Sequence, residues 1–252
     1  MSISRHRSQH QPAVRGYAVT HPAGSAVLPI EPGWDQLLYA ASGVMTVSTP
    51  AGSWVIPSHR ALWIPDGAPA TVHTRGRVAV RTLYLSSSLR SLPAQTRAVN
   101  VPPLVRELLL HAVRSCPLDV DRPADAALLT VLIDQLRVLP DAPLQLPRPR
   151  DERAADLARA LIDDPSLDLT ALATRVGASR RTLERVFTIE TGMTLGAWRR
   201  RARVLRALEL LAAGTTVTVT AAAVGYATPS SFVASFKHEL GHPPGRLLHN
   251  PS

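Results

Sequence analysis

The chain has 252 residues, 45% of them apolar, 19% charged and 4% aromatic, which is enough apolar content for a packed core and too much for a disordered chain. Its net charge of +9 is almost entirely guanidinium, with Lys237 the single lysine, and points to a polyanionic partner, although an Ala- and Arg-rich, Lys-poor composition is also what a GC-rich coding sequence gives. One cysteine, Cys116, excludes an internal disulfide and a cysteine metal cluster; with no apolar run near 18 residues and a polar start at Met1–His10, we expect a cytoplasmic protein without membrane span or signal peptide.

From Gly16 to Leu85 short β-branched or aromatic runs alternate with turn signals. Gly16–Val19, Leu37–Ala40, Val44–Ser48, Ser53–Ile56, Ala61–Ile64, Ala70–Thr74 and Val78–Leu85 read as strands, punctuated by Ser42-Gly43, Pro50-Ala51-Gly52 and Pro65-Asp66-Gly67. Strands spaced about ten residues apart favour a small barrel or sandwich. Beyond Ser91 the period becomes helical: Leu104, Val105, Leu108, Leu109, Ala112 and Val113, then Leu128, Val131, Leu132, Leu136 and Leu139. These stripes need a cover, either the barrel or a second subunit, and a dimer surface is the expectation, with Leu104/Leu108 and Leu128/Leu132/Leu136 contributing. Pro140, Pro143, Pro147 and Pro149 then favour an extended spacer.

From Asp151 the chain reads as helical, and its last third carries most of the charge. Residues 171–252 hold ten Arg and one Lys against Glu184, Glu190, Glu209 and Glu239, a net +7. Within this region Asp168–Phe187 has the shape of a helix-turn-helix. Asp168 caps a first helix with Leu169, Leu172, Ala173 and Val176 on its buried side. Gly177 makes the left-handed turn, and Ser179 caps a second helix that buries Leu183, Val186 and Phe187. The pattern returns about 48 residues on, from Thr216 through Gly225, Thr228 and Pro229 to Phe236. Phe232 and Phe236 match Leu183 and Phe187, each 49 positions later. Val217–Thr220 locally prefers a strand, and only the repeat argues for helix there. One match of this kind is weak, because any αα-corner with a glycine resembles it; two in register, on +7, are specific. Held rigidly, such units enter adjacent major grooves roughly 34 Å apart.

Here the chain resembles the AraC/XylS family of bacterial transcription regulators. The resemblance covers about Asp151–Leu248 and is most specific in Val224-Gly225-Tyr226 through Phe236 and in Gly241-His242-Pro243-Pro244. The front half is similar to the cupin sensor domain of many members. Gln36–Gly43, Gly52–Pro57 and Arg60–Pro65 look like a subgroup of short regulators, some of which control nearby efflux transporters. The expected fold is α+β, divided into a cupin-like β-barrel sensor (1–90), a helical connector for dimerisation (91–139), a Pro-rich linker (140–150) and a double helix-turn-helix domain (151–252). The resemblance implies a sequence-specific, small-molecule-responsive regulator that binds operator DNA as a homodimer.

The candidate DNA contacts are Arg180, Arg181, Thr182, Glu184 and Arg185 on the first reading helix, and Ser230, Ser231, Val233 and Lys237 on the second. Exposed arginines are commonly only solvated, but these open a capped reading helix, where side chains reach base edges. Where many relatives carry a base-contacting arginine, this chain has Ala234. Arg199, Arg200, Arg201 and Arg203 are expected to form a solvated helix face, Trp198 to lie in the core, and Cys116 to be a small buried apolar residue. Trp34, Trp54 and Trp63, core candidates themselves, together with His21 and His73, are the candidate lining of an effector pocket. Metal-binding cupins need clustered histidines and a carboxylate; Asp35 and Ala70 stand at two of those positions and His21, His59 and His73 are scattered, so neither metal nor cofactor is expected. The competing class is a cupin isomerase or dioxygenase with incidental DNA binding, which stoichiometric metal in purified protein would favour. A third, a non-specific nucleoid or RNA-binding protein, lacks stacking aromatics on a basic surface.

Overall fold

The structure is a computed structural model that describes residues 12–29, 31–58, 60–89, 93–142, 145–241 and 243–245; His59, His242 and Leu248 lie outside them. Every predicted strand is present: β1 (Val14–His21), β3 (Trp34–Ser42), β4 (Val44–Thr49), β5 (Gly52–Pro57), β6 (Arg60–Ile64), β7 (Thr71–Thr74) and β8 (Val78–Ser86). The sequence did not announce β2 (Gly24–Val27), β9 (Arg97–Asn100) or β10 (Gln145–Pro147). In place of a closed barrel, the described strands form two five-stranded sheets, in the orders β1-β8-β3-β6-β9 and β10-β5-β4-β7-β2.

The first sheet is covered on both faces. Along β3 and β6, Leu38, Leu62 and Ile64 join the cluster shared with Met45, Val47, Trp54 and Ile56 of the second sheet. Their neighbours Leu37, Tyr39, Ala61 and Trp63 point the other way, as the period of two requires. That outer face is covered by α1 (Pro103–Ser115) and α2 (Pro123–Arg137) through Val105, Leu109, Leu129, Leu132 and Leu136. The dimer surface expected from Leu132 and Leu136 is therefore corrected: both are buried in the chain's own core. The apolar odd-numbered face of β3 and β6 needs a cover, and helices of the same chain supply it without losing translational freedom. Leu108 and Leu128 are half-buried, whereas Leu104 and Val131 stay exposed, at 59% and 46%.

The proline-rich spacer is extended as expected but is docked rather than free. Gln145–Pro147 pairs antiparallel with Gly52–Trp54. Gly52 has φ +149°, and a Cβ there would lie 2.6 Å from the Leu146 carbonyl oxygen, so only glycine lets this edge strand approach. Among the described residues six helices follow: α3 (Glu152–Asp163), α4 (Leu169–Arg175), α5 (Arg180–Thr191), α6 (Leu195–Ala212), α7 (Val217–Ala223) and α8 (Pro229–Leu240). Val217–Thr220 is helical despite its β-branched run, because Thr216 caps it and Thr220 and Ala221 are buried in the helical domain. Among the described residues no helix is long and apolar enough to cross a membrane.

Candidate DNA-reading interface

Each helix of the two repeated units begins on a side-chain cap. Asp168 accepts from Ala171 N at 2.8 Å and Ser179 from Thr182 N at 3.1 Å. Thr216 and Thr228 do the same for α7 and α8, to Val219 N at 3.4 Å and Ser231 N at 3.2 Å. Gly177 and Gly225 both have positive φ, at +66° and +81°. The two units are thus one local design used twice, with α6 between them. Phe187 and Leu183 anchor α5 as Phe236 and Phe232 anchor α8, all fully buried.

The outward faces differ. Arg180, Arg181 and Arg185 are exposed on α5. Arg180 lies 3.8 Å from Glu184, while Arg181 and Arg185 have no side-chain partner among the described residues. Glu184 is half-buried, and its carboxylate also accepts from Leu195 N at 3.3 Å, at the start of α6. Thr182 belongs to the Ser179 cap, hydroxyl to hydroxyl at 2.9 Å. On α8, the Ser231 hydroxyl donates to the Thr228 carbonyl at 2.8 Å, and Val233 packs against the core. That leaves Ser230, Ala234 and Lys237 open to solvent.

The arginine face of α6 corrects the expectation of a solvated surface. Arg199 donates to the carbonyls of Pro165 at 3.2 Å and Ser166 at 3.1 Å, and also to that of Leu167. Arg203 donates to Pro165 O at 3.2 Å. Arg201 and Arg200 pair with Glu239 of α8 at 3.1 and 3.6 Å, and that carboxylate is only 7% exposed. Burial, and then the neighbouring Arg203, hold the Arg199 guanidinium below the usual arginine range. Guanidiniums aimed at carbonyls more than 30 residues away leave no local sequence signature.

Residues 172–250 match the family model described as a helix-turn-helix domain. The HTH-type transcriptional regulator NimR of Escherichia coli is 28% identical over 216 residues, which cover 84% of this chain and 79% of that protein. The chain thus carries an AraC-type helix-turn-helix domain and is similar to HTH-type transcriptional regulators. The regulator is also similar to RipA of Corynebacterium glutamicum, 39% identical over 102 residues that cover 39% of this chain and 30% of RipA. Among solved structures, ToxT of Vibrio cholerae matches 93% of this chain and 94% of its own, with 11% identity and a TM-score of 0.39.

The regulator's five candidate effector residues are not brought together. Trp54 and Trp63 are buried in two different clusters, and Trp63 Nε1 donates to Pro93 O at 2.8 Å. The Arg15 guanidinium lies 4.1 Å over the Trp34 ring. His21 borders a small pocket of about 180 Å³. Only His73 faces a larger space, a cleft of about 540 Å³ between the second sheet and helices α3 and α6. Polar groups join the two sides of this cleft. Glu209 of α6 accepts from the Thr46 hydroxyl of β4 at 2.7 Å, pairs with Arg75 at 3.0 Å and is bonded by Arg206. Trp198 is buried behind the cleft wall and donates to Pro147 O at 2.9 Å. Sequence reading missed it because its walls come from residues that lie far apart in the chain.

Proposed function

We propose that the regulator reads a bipartite operator with α5 and α8 and that a small molecule bound in the cleft changes how well it does so. The DNA contacts proposed are Arg180, Arg181 and Arg185 from α5, with Thr182 and Glu184 completing that surface, and Ser230, Ser231, Val233 and Lys237 from α8. The observation that carries this reading is the pair of guanidiniums without a side-chain partner among the described residues, Arg181 and Arg185, one turn apart on a capped helix whose other side is anchored by the buried Leu183 and Phe187. Phosphate contacts release counterions. Binding of the full chain to its selected site should therefore weaken about 10-fold or more between 50 and 200 mM salt. Salt-independent binding would contradict the reading.

The sensor role is assigned to the front half, with the boundaries at 90, 139 and 150 retained and residues 145–147 tied to its second sheet by β10. A ligand whose polar groups compete with Glu209 for Arg75 and Arg206 alters the docking of α6, the helix shared by both units. An effector shifts DNA affinity only by its differential affinity for the two arrangements. Glu209→Ala, which releases Thr46 and Arg75 together, should change DNA affinity by about 5-fold or more; unchanged affinity would remove the cleft from the regulatory path. We read the front half as a cupin-like binding domain without catalytic activity, a reading supported by the similarity of the chain to transcriptional regulators. Dimerisation is placed on the exposed residues Leu104 and Val131, not on the buried stripe. Leu104→Asp with Val131→Asp should give monomers in sedimentation while keeping the melting midpoint, since exposed substitutions cost about 0.5 kcal/mol or less. A dimer that survives both changes would place the interface elsewhere.

A further inference from the structure

We propose that Arg203 is a positioning residue that sets the distance and rotation between the two reading helices, and hence the number of base pairs between the half-sites the regulator accepts. The inference rests on the reading that both units engage one duplex. Three elements meet at this guanidinium. Its Nε donates to Pro165 O, in the loop that leads from α3 into α4 of the first unit. Its central carbon lies 5.3 Å from the ring centroid of Tyr226, just past the turn of the second unit. Tyr226 is fixed in turn, its hydroxyl donating to Ser235 of α8 at 2.6 Å. A Cβ added at Gly225 would stand 3.0 Å from Arg203 Nη2 and 3.0 Å from Ser166 Cα, so the turn of the second unit abuts the loop before the first without room for a methyl group.

A guanidinium suits such a joint, because its edge can donate to a carbonyl while its face stacks on a ring. Arg199 holds the same loop, the Glu239 pairs hold α8, and Arg201 also reaches Met193 past α5, while Arg203 is the guanidinium that touches the turn of the second unit and the loop before the first together. The geometry matters to DNA because inserting one base pair displaces a half-site by about 3.4 Å and rotates it by about 35°. A rigid pair of units cannot follow that movement without losing contacts, whereas a loosened pair can.

The test uses full-length protein and duplexes that carry the selected bipartite site with the spacer shortened or lengthened by one and two base pairs. Wild type should bind the parent spacer about 10-fold more tightly than its one-base-pair neighbours, the cost of one misplaced contact set. Arg203→Ala should bind all five spacers within about 3-fold of one another, and Arg203→Lys, which keeps a cation over Tyr226 and a donor for Pro165, should restore part of the preference. A variant that keeps the wild-type spacer profile, at unchanged or uniformly lower affinity, overturns the proposal, because Arg203 then only supports the fold. If the alanine variant does not fold, Arg203→Gln, which keeps a donor but no cation, takes its place with the same two outcomes. Wild type that is itself indifferent to spacing overturns the bipartite reading and the proposal together.

Discussion

Replacing Trp198 with alanine is expected to destabilise the protein by about 3–5 kcal/mol, the range for removing a fully buried aromatic side chain. Trp198 has no exposed surface. It packs edge-on against Phe187 of α5 at a centroid distance of 5.4 Å, and its Nε1 donates to the Pro147 carbonyl of β10. One side chain therefore ties α5, the shared helix α6 and the edge strand of the second sheet. Truncation leaves a cavity at that three-way contact and an unmatched carbonyl. Guanidinium denaturation of Trp198→Ala should show a lower midpoint, with Trp198→Phe in between because it keeps most of the volume and loses only the donor. A cost under about 1 kcal/mol for the alanine variant would mean that α6 is not the element on which the two halves converge.

Arg185→Ala is expected to lose about 1–3 kcal/mol of discrimination at one base pair, and the double change with Arg181→Ala at two. Both side chains are exposed and without side-chain partners among the described residues, so their removal should leave the unfolding free energy within about 0.5 kcal/mol of wild type. The loss then belongs to recognition and not to folding. Ser230→Ala, by contrast, should weaken binding slightly and evenly across sequences, since a short hydroxyl has no fork with which to choose guanine. Titration of each variant against the preferred site and its single-base variants reads the difference directly. Equal losses on every sequence for Arg185→Ala would make it a phosphate contact.

The repeated units were legible in the sequence because each depends on local chemistry. Caps at Asp168, Ser179, Thr216 and Thr228, turns at Gly177 and Gly225, and apolar residues at helical spacing all act within a few residues of their position. The strands with clear alternation were legible for the same reason. Gly24–Val27 was not, because it lies largely exposed at the edge of its sheet, with almost no buried residue to mark a face. Gln145–Pro147 was masked by its prolines, which an edge strand tolerates. The leucine stripes of α1 and α2 announced that a face is covered and could not say by what; Leu132 and Leu136 meet the first sheet instead of another chain. The joint around Arg203 and the latch at Glu209 were beyond reach, since the bonds from Arg203 to Pro165 and from Thr46 to Glu209 span 38 and 163 residues, between elements whose packing periodicity does not encode.

The two candidate reading helices present unequal surfaces to a duplex. The α5 face offers two free forks, while on α8 the Ser231 hydroxyl is committed to its cap and Val233 to the core. Selection from randomised duplexes, run in parallel with wild type and Arg185→Ala, tests this asymmetry most directly. Two sequence blocks centred about 10–10.5 base pairs apart are expected, one well defined and containing guanine and the other degenerate, with Arg185→Ala erasing one position of the defined block alone. Two blocks of equal information, or an unchanged preference for Arg185→Ala, would contradict the asymmetry.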